Sequence, residues 1–495
     1  MASIDSETEQ QGPIWELVGL SDYRLPSAPT ATSARRGLSS LMRLFGRRQP
    51  ASQGPVKTED ELHRLEPERL EAIISPIDWH PAAQLLQQAL EQRSKLDPAW
   101  FIISPPAAGY AGLLETWAAQ QAAACIPSPT YEIVAGDHSG WLADLPAGDA
   151  PWTLPRLERC WLRHPAGLGL VRELFDRLLS GKLGFGLIGC DSWAWAYLRY
   201  VVPTQAVRAL TLQALDGERL ANWLGQLAAG GPAELSTGSP TGSPTVKQKG
   251  TPTVTPTGTS TGLPNRLSVA HSLRPRRFRH AQSGNLLLSV NDDEEIGVTS
   301  ELRYLAAQSR GNPGVALQLW RSRLRSEPDK PEAVEAEADD ESDAKAGDES
   351  GEEAGGKTAD KADGKAVDKA SDKAGDTVGD KAGDKTGDRG SDKTGDKPKV
   401  ETIWVAPAVD LELPSGLDEA EALILHALLL HDGLPTEVVE GLLPHARFQT
   451  HSLLLQLAAV EVIRSEPDGC WRVTAFAYAA VRSFLAGRRF LVDDV

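Results

Sequence analysis

Cysteine is scarce, long apolar runs are missing, and the H-E-x-x-H signature of zinc hydrolases does not occur; each shortage removes a class of protein. The four cysteines, Cys125, Cys160, Cys190 and Cys470, are scattered along 495 residues with no C-x-x-C pair, so neither a disulfide framework nor a zinc site is indicated. The ten histidines show no metal-ligand spacing with them. No stretch approaches the roughly eighteen apolar residues of a membrane span, and the polar start, Met1-Ala-Ser-Ile-Asp-Ser-Glu, is unlike a signal peptide. The expectation is a cytoplasmic protein in a reducing compartment. H-E-x-x-H and a spaced carboxylate pair are absent, and the single G-x-S-x-G match, Gly258–Gly262, lies inside a Ser/Thr/Gly/Pro run and not at a strand-to-helix turn, so no such hydrolase chemistry is indicated.

The formal charge of −17 is unevenly spread. Residues 327–355 hold thirteen acidic and two basic residues, residues 357–399 are nearly balanced at ten and eleven, and residues 401–495 hold fourteen and six. The acidity therefore belongs to a linker and to the C-terminal segment, and an acidic C-terminal domain argues against a nucleic-acid footprint. Two segments cannot build a core. Residues 229–264 are mainly Ser, Thr, Gly and Pro with hardly any large apolar side chain, too little apolar surface to offset backbone entropy. Residues 368–399 repeat a four-residue unit that begins Asp-Lys-Ala-Ser. A Gly in most units costs about 1 kcal/mol against Ala in a helix, so a disordered tether is expected.

These shifts divide the chain into an N-terminal arm (1–57), a core (58–228), the Ser/Thr/Pro/Gly insertion (229–264), a helical segment (265–326), an acidic and Asp-Lys linker (327–400) and a C-terminal domain (401–495). In the core, helical patterns over 58–98 precede a buried strand at Phe101–Ile103. A helix over Gly167–Leu179 puts Leu168, Val171, Leu174, Phe175, Leu178 and Leu179 on one face, and Phe185–Cys190 reads as a second strand. Strands alternating with helices predict an α/β class with a mainly parallel sheet.

The turn after the Phe101 strand has the place and length of a phosphate-binding loop. In G-x-x-x-x-G-K-[ST], backbone N–H groups cradle phosphates, the Lys reaches the β- and γ-phosphates and the hydroxyl holds Mg²⁺. Here Ser104 stands for the first Gly, Pro105 and Pro106 follow, Gly109 keeps its type, Tyr110 replaces the Lys and Ala111 the hydroxyl residue. Asp191, at the end of the second strand, has the position of the Walker B carboxylate that helps hold Mg²⁺. It is followed by Ser192 and Trp193 and not by an acid that could orient water. Gly181-Lys182 is no substitute, because it follows a helix and precedes a strand.

Downstream, the run from Glu301 to Trp320 carries Arg310, Gly311, Asn312, Pro313, Ala316 and Leu317 in the order of a helix–turn–helix lid. With the loop and Asp191, it resembles the AAA+ and STAND P-loop ATPases, in which the Pro turn faces the nucleotide. Gly314 replaces a Leu common in that family, and no sensor Arg opens the second helix. Helices over Leu417–Leu430, Pro435–Leu443 and Arg447–Ala459, strands over Val460–Arg464 and Cys470–Thr474, and a helix over Ala475–Leu485 are similar to the winged helix that follows the lid in many of these proteins. The third helix offers Arg447, Gln449 and Gln456 but is otherwise apolar, a poor reader of base edges.

The resemblance implies a P-loop-like core with a lid and a winged helix, whose nucleotide pocket survives as Ser104, Pro105, Pro106, Gly109, Tyr110, Ala111, Asp191, Asn312 and Pro313. Asp191 is the lone metal-ligand candidate. The expected function is regulation or scaffolding through protein contacts without hydrolysis and without a cofactor. The alternatives are a diverged ATPase still binding ATP and Mg²⁺, and a transcription regulator working through the winged helix, with DNA the disfavoured partner. In the arm, Arg35, Arg36, Arg43, Arg47 and Arg48 flank Leu38, Leu41, Met42 and Phe45 at helical spacing. Such a segment suits peripheral contact with an anionic membrane surface or a partner's groove.

Overall fold

A computed structural model describes residues 12–27, 55–94, 97–148, 150–229, 275–290, 297–328, 400–409 and 412–495. The basic arm and most of the two low-complexity segments lie outside the described residues. The first sheet is built around β3 (Ala99–Ser104), whose first five residues are all buried. β1 (Leu17–Gly19), β4 (Ala124–Cys125), β5 (Trp152–Leu154), β6 (Gly186–Asp191) and β7 (Arg208–Leu212) complete it in the order β1-β7-β3-β6-β5-β4. Every pairing except that of β1 is parallel. Parallel strands are covered by helices on both faces, which is why β3 and β6 read as continuous apolar runs. Gly189 in β6 is required by close approach: a Cβ there would stand 2.2 Å from the Pro155 carbonyl oxygen. The helix Gly169–Leu179 buries Val171, Leu174, Phe175 and Leu178 of the expected stripe together with Leu170, which the stripe left out, while Leu179 is only half-buried.

The chain is thus mixed α/β with a parallel sheet, and a second sheet accompanies the first. β2 (His63–Arg64), β8 (Arg276–His280), β9 (Leu286–Val290), β10 (Leu324–Ser326) and β11 (Glu401–Val405) pair in the order β2-β10-β11-β8-β9. This arrangement differs from two sequence expectations. Residues 265–326, expected to be helical, contain the hairpin β8/β9 before the helices Ser300–Gln308 and Pro313–Arg323, and end in β10. Residues 401–405, expected to open the C-terminal domain, run parallel to β8. The apolar positions explain the pairing: Phe278, Ile403 and Val405 are buried in the same core as Trp320, with the Phe278 and Trp320 rings 5.8 Å apart.

Residues 418–487 form helices Glu419–Leu430, Thr436–Leu442 and Arg447–Ala459, a small antiparallel sheet and a closing helix, Tyr478–Gly487. The sheet has the order β12-β14-β13, with β12 at Leu434–Pro435, β13 at Ile463–Ser465 and β14 at Cys470–Val473. Asp418 caps the first helix through a reciprocal pair with Glu421, two orphan N–H groups satisfied at once. This segment is packed directly on the first sheet. Leu425, Leu428 and Val481 share one apolar core with Phe101, Phe175, Ile188 and Trp193.

Candidate functional site

Register fixes the site. β3 and β6 are neighbours, with Ser104 opposite Asp191, so the loop after β3 and the turn after β6 lie side by side at the carboxyl ends of the strands. That is where open α/β sheets hold ligands. After Ser104 the loop turns tightly: the Ala108 N–H donates to the Pro105 carbonyl at 3.1 Å, and Ala107 and Gly109 take left-handed conformations with φ of 61° and 82°. Gly109 allows this at no steric cost. Pro105 and Pro106 have no N–H to offer an anion.

The two replaced positions are accounted for by packing. Tyr110 opens the helix Tyr110–Gln121 but is 3% exposed. Its ring meets Trp79 edge-on at 5.6 Å, and burial pushes its phenol well above the ordinary range, the Thr211 side chain offsetting part of that. Ala111 contributes no oxygen.

The segment from 309 to 315 closes on the loop. Asn312 caps the helix Pro313–Arg323, accepting from the Gly314 and Val315 N–H groups at 3.0 and 3.2 Å. Its side-chain amide donates to the Pro106 carbonyl at 2.6 Å. Pro313 holds the first helical position, where its missing N–H is harmless. Gly314 lies so close to the loop that a Cβ there would stand 1.8 Å from the Ala107 carbonyl oxygen. The structure therefore brings Ser104, Pro105, Pro106, Gly109, Tyr110, Ala111, Asp191, Asn312 and Pro313 to one end of the sheet, with Asn312 bonded to the loop.

Beside the loop is a cavity of about 490 Å³, bounded by residues 104–111, the segment after β5, the end of β6 and the β13–β14 turn. Its arginines are already matched within the protein. Arg156 pairs with Asp432 at 2.8 Å, Arg464 with Glu466, and Arg472 grips Asp468 through two bonds at 2.6 and 3.0 Å. Five carboxyl groups, Glu158, Asp191, Asp432, Glu466 and Asp468, line the same space. A triphosphate entering here would meet arginines already engaged by carboxylates of the protein.

Asp191 is engaged by its own chain. It is 5% exposed, and its carboxylate caps the helix Ser192–Leu198 by accepting from the Trp193 N–H at 2.8 Å. Its own N–H donates to Glu158 at 3.2 Å. Burial, then the Asp432 and Glu158 charges, raise its pKa well above the ordinary value. Burial and Asp432 likewise lift Glu158 to about 7. Among the described residues no group of three or more His, Cys, Asp or Glu is arranged to hold a metal ion, and no helix is long and apolar enough to cross a membrane.

Glu158, Asp432 and His431 were missed by sequence reasoning. His431 is fully buried, with Nδ1 facing the Glu158 carbonyl at 3.2 Å, and burial lowers its pKa to about 4. Glu158 ends a short apolar run and Asp432 sits in an Asp-Gly turn; neither carries a motif, because only the fold makes them neighbours. No family model, curated protein or solved structure matches this chain.

Proposed function

We propose that the chain is a non-hydrolysing, P-loop ATPase-like regulatory or scaffold protein that acts through protein contacts. The strand–loop–helix at Ala99–Gln121, the Asn312-Pro313 turn above it and the helix and strand order of residues 418–487, read as a winged helix, support the AAA+ or STAND resemblance. One observation carries the functional reading: the phosphate loop is occupied by its own chain. Asn312 holds the Pro106 carbonyl, Gly314 abuts Ala107, and Tyr110, where an ammonium would neutralise phosphate, is turned into the core. The winged-helix segment is the partner-binding element in this reading. Its third helix exposes Phe448 at 85% and Leu455 at 50%, an apolar face suited to protein and unlike the basic and amide face that reads DNA.

The second reading, an ATPase relative that still binds nucleotide, is favoured by the size of the cavity beside the loop, which lies in the range of small-ligand sites. Phosphate release by the purified full chain with Mg²⁺ and ATP separates the two. No turnover is expected, and nucleotide binding, where present, is expected to be indifferent to Ala111→Glu, which puts a carboxylate at the helix start. Steady turnover lost in Asp191→Ala would refute the proposal. Binding abolished by Ala111→Glu would establish the second reading.

A further inference from the structure

A second cavity, of about 380 Å³, lies between the segments around 163 and 200 and the chain at 488–491. Arg163, Arg488 and Arg489 line it. Among the described residues none of the three is in an ion pair with a carboxylate, whereas nearby Arg199 is paired with Asp494. In a chain with seventeen more acids than bases, three guanidinium groups share one concavity, and of the three only Arg488 acts on a neighbouring carboxylate, that of Asp418, so the lining is basic.

The arginines are held in place. Arg163 donates to His426 Nδ1 at 3.0 Å, and His426 Nε2 lies 3.0 Å from the Leu491 carbonyl. A guanidinium can only donate, so Nδ1 must accept and the proton must sit on Nε2, donating to Leu491. His426 is thereby fixed as a neutral positioning residue between Arg163 and the chain at Leu491. Arg488 is anchored to the Leu417 carbonyl and lies over the Phe484 ring at 4.7 Å. Arg489 follows the closing helix in a left-handed conformation, φ 64°, an uncommon setting for a non-glycine residue. No hydrogen bond from its side chain occurs among the described residues.

Apart from Leu491, the remaining walls are aromatic. Tyr197 is stacked flat on Trp161, with centroids 4.8 Å apart and planes 4° from parallel, which fixes its ring. Tyr200 is 76% exposed, and Phe490 closes the floor against His426 at 5.1 Å. Guanidinium forks match the oxygens of a phosphate, and Tyr and Phe faces accept a planar ring. A carboxylate carries a single charge, whereas a phosphate monoester at neutral pH carries nearly two and three acceptor oxygens.

We propose that this cavity binds a free nucleoside phosphate, the phosphate held by Arg163, Arg488 and Arg489 and the base lying against Tyr197, Tyr200 and Phe490. The site joins the first sheet's connections to the C-terminal segment, so an occupant would tie the two together. It is separate from the loop at 104–111, and its existence does not depend on the reading of that loop.

The test is calorimetric titration of the full chain with AMP, GMP, CMP and UMP and the corresponding diphosphates, with adenosine, guanosine and inorganic phosphate as further arms. At least one nucleotide should bind at least tenfold more tightly than its nucleoside and than inorganic phosphate. Arg163→Ala and Arg489→Ala should each weaken that binding about tenfold or more, the loss of a charge-assisted bond. Ala111→Glu should leave it unchanged. Arg489 is exposed and unbonded, so its variant reports on binding even where Arg163→Ala unsettles His426. Absence of binding by every nucleotide at about 1 mM, equal affinity for inorganic phosphate, or binding that survives Arg163→Ala and Arg489→Ala together would each overturn the proposal.

Discussion

Replacing Gly314 by Ala tests whether the helix Pro313–Arg323 closes on the loop at 104–111. The added Cβ would lie 1.8 Å from the Ala107 carbonyl oxygen and 2.9 Å from its carbonyl carbon. Both obstacles are backbone, so no rotamer relieves them, and the helix Pro313–Arg323 must retreat by about 1 Å or more in a close-packed interior. The retreat stretches the 2.6 Å bond from Asn312 to Pro106, a net contribution of about 1 kcal/mol. It also disturbs Val315, Ala316 and Trp320, all buried on the same helix, and overpacking of this kind costs about 1–3 kcal/mol. A total near 2–4 kcal/mol, with a urea slope of about 3 kcal/mol/M, lowers the unfolding midpoint by about 1 M. Urea titration followed by tryptophan fluorescence measures it, since Trp320 lies on the displaced helix and Trp79 lines the Gly109 side of the loop. Gly487→Ala is the control: its Cβ meets nothing within 4 Å in the last turn of a helix, and it is expected to be neutral or slightly stabilising. A Gly314→Ala midpoint equal to that of Gly487→Ala would show that the contact between the turn and the loop is not made in solution.

Three further substitutions, at two positions, address the buried charges. Asp493, 1% exposed, accepts from Ser192 at 2.7 Å, Tyr478 at 3.2 Å and Arg482 at 2.8 Å; Asp493→Ala leaves these donors without their acceptor and is expected to cost about 3–5 kcal/mol by urea titration, with Asp493→Asn costing less. Glu158, raised to about 7, holds a proton in the folded chain that it has lost in the unfolded chain between its ordinary value and pH 7, so its contribution falls as pH rises through that window and levels off above it. His426 and His431, lowered to about 4, act oppositely, losing stability as pH falls from their ordinary range towards 4. The measurement is therefore a difference: Glu158→Gln should gain stability relative to the parent chain from pH 5 to pH 8, by an amount on the order of a few kcal/mol, and a flat difference would refute the assignment.

The elements that sequence reading placed are those whose signal is local. Phe101–Ile103 and Phe185–Cys190 are apolar runs too short for helices and bounded by turn residues, and both became central parallel strands. The helix Arg447–Ala459 shows where local signal ends. Its leucines suggested a helix built to pack, yet of Leu453, Leu454 and Leu455 only Leu454 is buried and Leu455 is half exposed. Three consecutive leucines on a helix with 3.6 residues per turn cannot all face one side, and no periodicity within the run says which one turns outward.

The site was legible in position and not in chemistry. Loop residues 104–111 and Asp191 follow from strand ends, but the charges that govern them come from elsewhere in the chain: Asp432 is 274 positions from Glu158, and Asp493 is 301 from the Ser192 hydroxyl that it accepts. In the sequence, Glu158 is an ordinary carboxyl after a proline and an arginine. It becomes a group titrating near 7 only once residues 426–493 seal the strand ends from water, because desolvation is the first cause of its shift and Asp432, carried by the sealing segment, is the second. The protonation of Glu158 is consequently a reporter of whether the C-terminal segment is seated. A carboxyl infrared band or carbon chemical shift that titrates at the ordinary value in the intact chain would place that segment away from the sheet.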